Sequence, residues 1–189
     1  MRIISGHLKG MALTTKISPT TRPTSDAVRE TIFNLLQTRC DLEGARIVDL
    51  YAGTGALGIE CISRGAIHCD FVDSNKQARK TIQENIDKAL SRNVKEKFTY
   101  GISKESADVF IKSRDNQNNY DIVFADPPYI NDLKFEMLNL VKPQGLLIYE
   151  TSITKLEQVK LSLKKVSREV EIEASRKMGK TAVVVVRAL

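Results

Sequence analysis

Two short stretches of this 189-residue chain carry residue types that could do chemistry. The first is Tyr120-Asp121-Ile122-Val123-Phe124-Ala125-Asp126-Pro127-Pro128-Tyr129. Its apolar run, Ile122 to Ala125, stops at a carboxylate, two prolines and an aromatic ring. The run reads as a strand buried on both faces, and the prolines, with no N–H to donate, end it. Asp126 and Tyr129 are then presented at a strand's carboxyl end, where open α/β sheets bind ligands. Alone, the stretch fits an ordinary strand-to-loop turn better. The second stretch supplies context: Gly53, Gly55 and Gly58 spell G-x-G-x-x-G between a strand and a helix, and Asp73 follows at the end of the next strand. Glycines let the backbone approach a ligand closely, a helix N-terminus offers free N–H groups, and the acidic residue can accept ribose hydroxyl protons.

The residues around the glycines decide between cofactors. Asp49 lies within the first strand, just before the loop. A carboxylate there repels a pyrophosphate, but it suits a cationic amino group or the task of orienting the loop. S-adenosylmethionine carries an ammonium and a sulfonium and no phosphate, so the loop favours it over NAD. The expected cofactor-binding set is Asp49, Ala52, Gly53, Thr54, Gly55 and Asp73, with Asp126 at the reacting end. The matching chemistry is methyl transfer to an amine on a nucleobase. That amine is a poor nucleophile because its lone pair is conjugated with the ring. Asp126 and the Pro127 carbonyl can accept its two N–H bonds and free the lone pair. Tyr129, beside Pro128, can stack on the base, which must leave its own stack to reach the site. No cysteine follows the fourth strand, which argues against methylation at pyrimidine carbon-5.

The elements that must position these groups alternate as strand and helix. A helix is predicted from Ser25 or Asp26, after three good capping residues. Arg46 to Tyr51 is the first strand, followed by the glycine loop and a helix over Ile59–Arg64 that ends at Gly65. Ile67–Val72 is the second strand. Asn75–Leu90 is an amphipathic helix with Ala78, Ile82, Ile86 and Leu90 on one face. Lys97–Tyr100 is the third strand, Lys104–Lys112 a helix, and Ile122–Ala125 the fourth strand. Leu133–Val141 is a helix stopped by Lys142-Pro143-Gln144-Gly145, Leu146–Tyr149 the fifth strand, and Thr154–Leu163 a helix. Val166–Ala174 and Thr181–Arg187 form an antiparallel pair joined by Ser175–Lys180. The implied fold is α/β: a Rossmann-like, mostly parallel seven-stranded sheet with a C-terminal antiparallel hairpin. Strands one and four are adjacent in such a sheet, so the glycine loop and Asp126 line one crevice. Residues 1–24 read as a basic N-terminal β-hairpin extension, too small for its own core, and residues 25–189 as the catalytic domain.

Composition bounds the class. The net charge is +6, and it is unevenly spread. Residues 1–40 hold six Lys/Arg against two Asp/Glu, residues 41–150 hold 14 against 17, and residues 151–189 hold nine against four. A mildly acidic core with basic ends suits an enzyme whose flanks meet a polyanion. No apolar run reaches membrane-spanning length. Cys40, Cys61 and Cys69 have no metal-like spacing and read as reduced thiols in a cytoplasmic protein.

With these motifs in hand, the chain resembles the class I S-adenosylmethionine-dependent methyltransferases, and more narrowly the bacterial 16S ribosomal RNA guanine-N2 methyltransferase family (RsmD type). The resemblance rests on Arg2-Ile3-Ile4-x-Gly6-x-x-Lys9-Gly10, on Arg22-Pro23-Thr24-x-Asp26-x-Val28-Arg29-Glu30-x-x-Phe33-Asn34 and on Asp49 to Glu60. It extends through Ser63-Arg64-Gly65-Ala66 and Asp126-Pro127-Pro128-Tyr129 to Gly179-Lys180-Thr181. It implies methylation of one guanine in 16S ribosomal RNA, within the small subunit or its assembly intermediate, by a cytoplasmic monomer that uses S-adenosylmethionine and no metal. Arg2, Lys9, Arg22, Arg29, Pro128 and Tyr129 are the substrate-binding residues it implies. Three positions depart from the family pattern. Gly101-Ile102-Ser103 replaces an acidic residue near the cofactor adenine, so Ile102 and Ser103 inherit those contacts. Ser74 replaces a charged residue beside Asp73, and Met178 replaces an aromatic. The rival readings are a DNA adenine or cytosine amino-methyltransferase and a non-catalytic RNA-binding assembly factor on the same scaffold.

Overall fold

The computed structural model describes residues 1–15, 25–92, 98–113, 115, 117–127 and 135–189. Arg22, Pro128 and Tyr129 lie outside these residues. Seven strands form one sheet: β1 (Arg46–Leu50), β2 (His68–Val72), β3 (Thr99–Ser103), β4 (Tyr120–Ala125), β5 (Val141–Ser152), β6 (Val170–Met178) and β7 (Thr181–Ala188). Their order is β3-β2-β1-β4-β5-β7-β6. Pairing is parallel from β3 to β5, and β7 is antiparallel to both β5 and β6. The α/β fold with a C-terminal antiparallel hairpin is therefore as expected, including the adjacency of β1 and β4. The apolar run Ile122–Ala125 requires cover on both faces, and in the doubly wound sheet that results the first strand lies beside the fourth.

One face carries α1 (Asp26–Gln37), α2 (Ala56–Ser63) and α3 (Lys76–Leu90), together with Ile3, Leu8, Met11 and Leu13 of the N-terminal segment. The other face carries α4 (Ala107–Lys112), a 3-10 turn (Phe135–Leu140) and α5 (Leu156–Leu163). The N-terminal segment is barely sheet-like, with one antiparallel bridge between Arg2 and Ala12. Burying four apolar side chains holds it down more than any ladder does.

Several boundaries differ from the sequence reading. In α3 the buried face is Ala78, Ile82, Ile86 and Ala89, whereas Leu90 is 49% exposed. The 3.6-residue period selects position 89 over 90. β3 is displaced to Thr99–Ser103. Within the predicted helix before the fifth strand, the described residues form the 3-10 turn, and Val141 already pairs with Tyr120. The next pair is Ile122 with Leu146, so Lys142–Gly145 bulge out of β5, with Gln144 at φ 65°. Their turn residues had suggested a stop, but hydrogen bonding resumes beyond them. Finally, β6 reaches Met178, and Gly179-Lys180 alone turn the hairpin, with Gly179 at φ 59°.

Candidate active site at the carboxyl ends of β1, β2 and β4

The glycine loop is wound tightly because Tyr51, Gly53 and Gly55 all take positive φ (61°, 55° and 74°). For the two glycines this costs little. For Tyr51 it is strain of the kind that collects at functional sites, and nothing in the sequence pattern had singled it out. Gly55 is the N-cap of α2. Gly58 has a different reason: a Cβ there would lie 2.4 Å from Phe71 Cε1 and 2.5 Å from Cys69 Sγ, so only glycine lets α2 sit on β2. At Gly53 the nearest heavy atom to an added Cβ is the Tyr51 carbonyl oxygen at 3.9 Å, which leaves the loop open on that side.

Two carboxylates hold this loop. Asp49 accepts from the Gly58 N–H at 3.1 Å, and Asp73 accepts from the Gly53 N–H at 2.9 Å and the Asn75 N–H at 2.8 Å. Asp73 thus fixes the backbone it was expected to face across a ligand. Each of its oxygens keeps a second lone pair for a hydroxyl donor. Asp49 is buried, and burial pushes its carboxyl up from 3.8 to about 8, with the Gly58 N–H opposing and the charges of Asp73 and Asp126 adding to the rise. Three carboxylates therefore converge on the ends of β1, β2 and β4. In the folded chain Asp49 keeps its proton over the interval in which the unfolded chain releases it. Its contribution to stability is fully present below 3.8 and is lost as pH rises to about 8. Asp49→Asn, which keeps an acceptor for Gly58, is expected to become steadily more stable relative to the native chain across that interval. Urea denaturation as a function of pH measures the gap; a constant gap would contradict the assignment.

Asp126 is the first residue past β4, half-buried, and Pro127 is buried behind it. Leu50 pairs with Ala125, so the start of the glycine loop and Asp126 leave the sheet side by side. On the next strand, Tyr149 pairs with Ala125 and packs against Phe135, with ring centroids 6.2 Å apart. Burial, with lesser contributions from Tyr51 and Asp126, raises its phenol to about 12. Tyr51 and Tyr149 are therefore neighbours of Asp126 that the sequence reading missed.

The remaining expected residues divide into three groups. Ala52 and Thr54 are buried in the loop, and Ala52 N–H donates to the Val72 carbonyl. Ser74 is exposed, while Ile102 and Ser103 are half-buried where β3 ends. The Ser103 carbonyl accepts from Asp73 N–H, which places it beside the acidic position. Arg2 and Lys9 are exposed. Arg29 is not available to a substrate: it is fully buried, donates to the Arg2 carbonyl at 2.8 Å and Asp26 at 2.7 Å, and lies 3.8 Å from the buried Glu60. An arginine on a capping turn reads from sequence as a surface cation; here the N-terminal segment covers it.

Three polar side chains to which the sequence reading gave no role join that segment to the helices around the site. Glu60 of α2 accepts from the N–H groups of Ile4 at 2.7 Å and Ser5 at 2.9 Å, and pairs with Arg64. Ser63 accepts from Leu8 N–H and donates to the Ser5 carbonyl. Asn85 of α3 is fully buried: its Oδ1 accepts from Thr14 N–H at 2.7 Å, and its Nδ2 donates to the carbonyls of Thr14 and Thr54, both at 3.0 Å. One amide thus links the N-terminal segment to the glycine loop. The available signal was polarity in the wrong place: Glu60 is the sole charged residue in Ala56–Ser63. Burial raises the thiols of Cys61 and Cys69 far above the usual range, which leaves them unsuited to act as nucleophiles.

Comparison with known proteins places this site in a family. The sequence pattern of the family described as Conserved hypothetical protein 95 matches residues 1–187. The chain is 30% identical over 182 residues to Ribosomal RNA small subunit methyltransferase D of Escherichia coli (strain K12), covering 96% of this chain and 87% of that protein. It is 35% identical over 158 residues to the protein of the same name from Buchnera aphidicola subsp. Acyrthosiphon pisum, covering 84% and 78%. Among solved structures it resembles the Escherichia coli protein yhhF, with a TM-score of 0.78 and 25% identity over 100% of this chain and 97% of that one. A glycine loop held by two carboxylates beside Asp126-Pro127, with relatives of this identity and coverage, fixes the assignment: the chain belongs to the Conserved hypothetical protein 95 family, the RsmD-type methyltransferases.

Proposed function

We propose that the chain methylates the exocyclic amine, N2, of a guanine in 16S ribosomal RNA of the small subunit, acting as a cytoplasmic monomer with S-adenosylmethionine as donor. The relatives named small subunit methyltransferase D support the RNA class. The observation that carries the reading is the register of β1 on β4, which sets Asp126 beside the glycine loop.

The residues present fit the cofactor. Open space at Gly53 leaves room for a ligand against the backbone, and the loop bears carboxylates in place of phosphate-binding cations. Asp73 and Asp126 make the site negative, which favours a cationic ligand over a pyrophosphate, while Asp49 keeps its proton and orients the loop through Gly58. When bound, S-adenosylmethionine supplies an electrophilic methyl group on a sulfonium. Asp73 would accept from the ribose hydroxyls, and Ile102 and Ser103, where β3 ends, would meet the adenine. At the reacting end, Asp126 and the Pro127 carbonyl accept the amine's two N–H bonds. This bends the nitrogen toward tetrahedral geometry and exposes its lone pair. Tyr129 stacks on the flipped base, a contact of about 1–3 kcal/mol. Most of the rate comes from positioning and from charge fixed before the reaction. No strong base is needed, because the nitrogen gives up its proton to water once it carries the methyl.

The test is incubation with labelled S-adenosylmethionine and small ribosomal subunits from cells lacking the endogenous activity, followed by mapping of the modified base. Label on N2 of one guanine is expected. Label on an adenine or cytosine amine, or none on subunits with transfer to DNA, would replace this reading with a rival.

A further inference from the structure

The strand lengths place an unassigned basic surface beside the crevice. β4 ends at Ala125, opposite Tyr149, but β5 runs on to Ser152, opposite Thr181 of β7. Three further residues extend the sheet by about 10 Å past the end of β4. The turn of the β6–β7 hairpin, Gly179-Lys180, sits at that extended end, and the Lys180 carbonyl accepts from Ile153 N–H at 3.1 Å. β7 and β6 lie two and three strands from β4, about 10 and 14 Å sideways. The hairpin tip therefore overhangs the same rim of the sheet from which Asp126 projects.

The tip is cationic. Arg176, Lys177 and Lys180 are all exposed. Among the described residues none of the three pairs with a carboxylate; the hydrogen bond from Arg176 goes to the carbonyl of Ser175. Other hairpin charges are spent internally, since Arg187 pairs with Glu173 well away from the tip. Arg176 and Lys177 alternate along β6, so cations point to both sides of the sheet edge. Met178 anchors the tip against the core face that also carries the N-terminal segment.

We propose that Arg176, Lys177 and Lys180 form a second grip on the substrate, binding the phosphates of the RNA strand that flanks the target nucleotide. The inference rests on the proposed RNA substrate. Its physical logic is that a flipped base leaves the adjoining backbone close to the rim, where cations a few strands away neutralise phosphates without reading sequence. The first grip is the one expected of Arg2 and Lys9, both exposed on the N-terminal segment.

The test compares Arg176→Glu/Lys177→Glu/Lys180→Glu with the native chain in binding to small ribosomal subunits from cells lacking the endogenous activity, over a range of salt. Affinity is expected to fall at least about tenfold and the slope of log K against log salt to flatten by about 2. S-adenosylhomocysteine binding, measured by calorimetry, stays unchanged and reports an intact fold. The milder triple glutamine variant is expected to show the same flattening. Lys164→Glu/Lys165→Glu, at the far end of α5, controls for net charge and is expected to leave the slope alone. A folded tip variant with native affinity and slope, or an equal loss in the α5 control, overturns the proposal. If the native chain itself fails to bind the subunits while still binding S-adenosylhomocysteine, the RNA reading falls and the second grip falls with it.

Discussion

Asp126→Ala is expected to lower methyl transfer about a hundred- to a thousandfold, the range found when a preorganised polar group is removed from a reacting centre, and to leave S-adenosylhomocysteine affinity within a few fold of native. The expectation follows from where Asp126 stands. It is the first residue beyond β4, outside the sheet. Its neighbour Asp49 is already buried and already orients the loop through Gly58, so the glycine loop keeps its shape without Asp126. Removing the Asp126 charge also removes one of the charges that raise Asp49 and Tyr149. The pH at which Asp49 ionises is therefore expected to shift down in the variant, an independent check by titration that the two carboxylates share one site. Native turnover in the purified variant would contradict amine activation by Asp126. Loss of S-adenosylhomocysteine binding together with turnover would show that its role is to hold the cofactor and not the substrate.

Glu60→Ala is expected to destabilise the chain by about 3–5 kcal/mol, the range for breaking a buried ion pair by removing one partner. Glu60 and Arg29 are both fully buried, and among the described residues the lost carboxylate would leave Arg29 with the exposed Asp26 as its counter-charge. The N–H groups of Ile4 and Ser5 lose their acceptor at the same time. Urea denaturation measures the loss. Glu60→Gln should recover part of it, since an amide oxygen can still accept from one N–H. An effect below about 1 kcal/mol, the scale of an ordinary exposed pair, would show that the N-terminal segment is held by its apolar side chains and the Ser63 and Asn85 hydrogen bonds, without need of Glu60. The functional corollary is that Arg2 and Lys9 are displayed from a segment locked to the helix that follows the glycine loop. Gly6 makes the lock tight: a Cβ there would lie 1.6 Å from the Ser63 carbonyl oxygen.

How much of this was legible beforehand depends on the range of the interactions. Asp126 and the glycine loop could be read because each is a local signal: an apolar run stopped by prolines, and glycines between a strand and a helix. The adjacency of β1 and β4 could be read because a doubly wound sheet permits few strand orders. The extent of β5 could not. Lys142-Pro143-Gln144-Gly145 has the composition of a turn, and only pairing with β4 on both sides turns it into a bulge inside a strand. The same holds for the hairpin tip, whose position over the crevice depends on how far β5 outruns β4.

The sequence by itself determined the fold class, the glycine loop, the placing of Asp126 at a strand's carboxyl end and the family, because each rests on residues adjacent in the chain or on a fixed period. The tertiary structure alone decided which polar residues face solvent and which hold the frame together. Arg29 and Lys9 are both basic residues of N-terminal motifs, yet one is sealed under the segment that the other decorates. Asn85, an unremarked amide in a charged helix, fastens Thr14 and Thr54 together. Burial and long-range hydrogen bonding are properties of the packed chain, and a polar side chain carries no local mark of whether its partner will be water or a backbone 31 or 71 residues away.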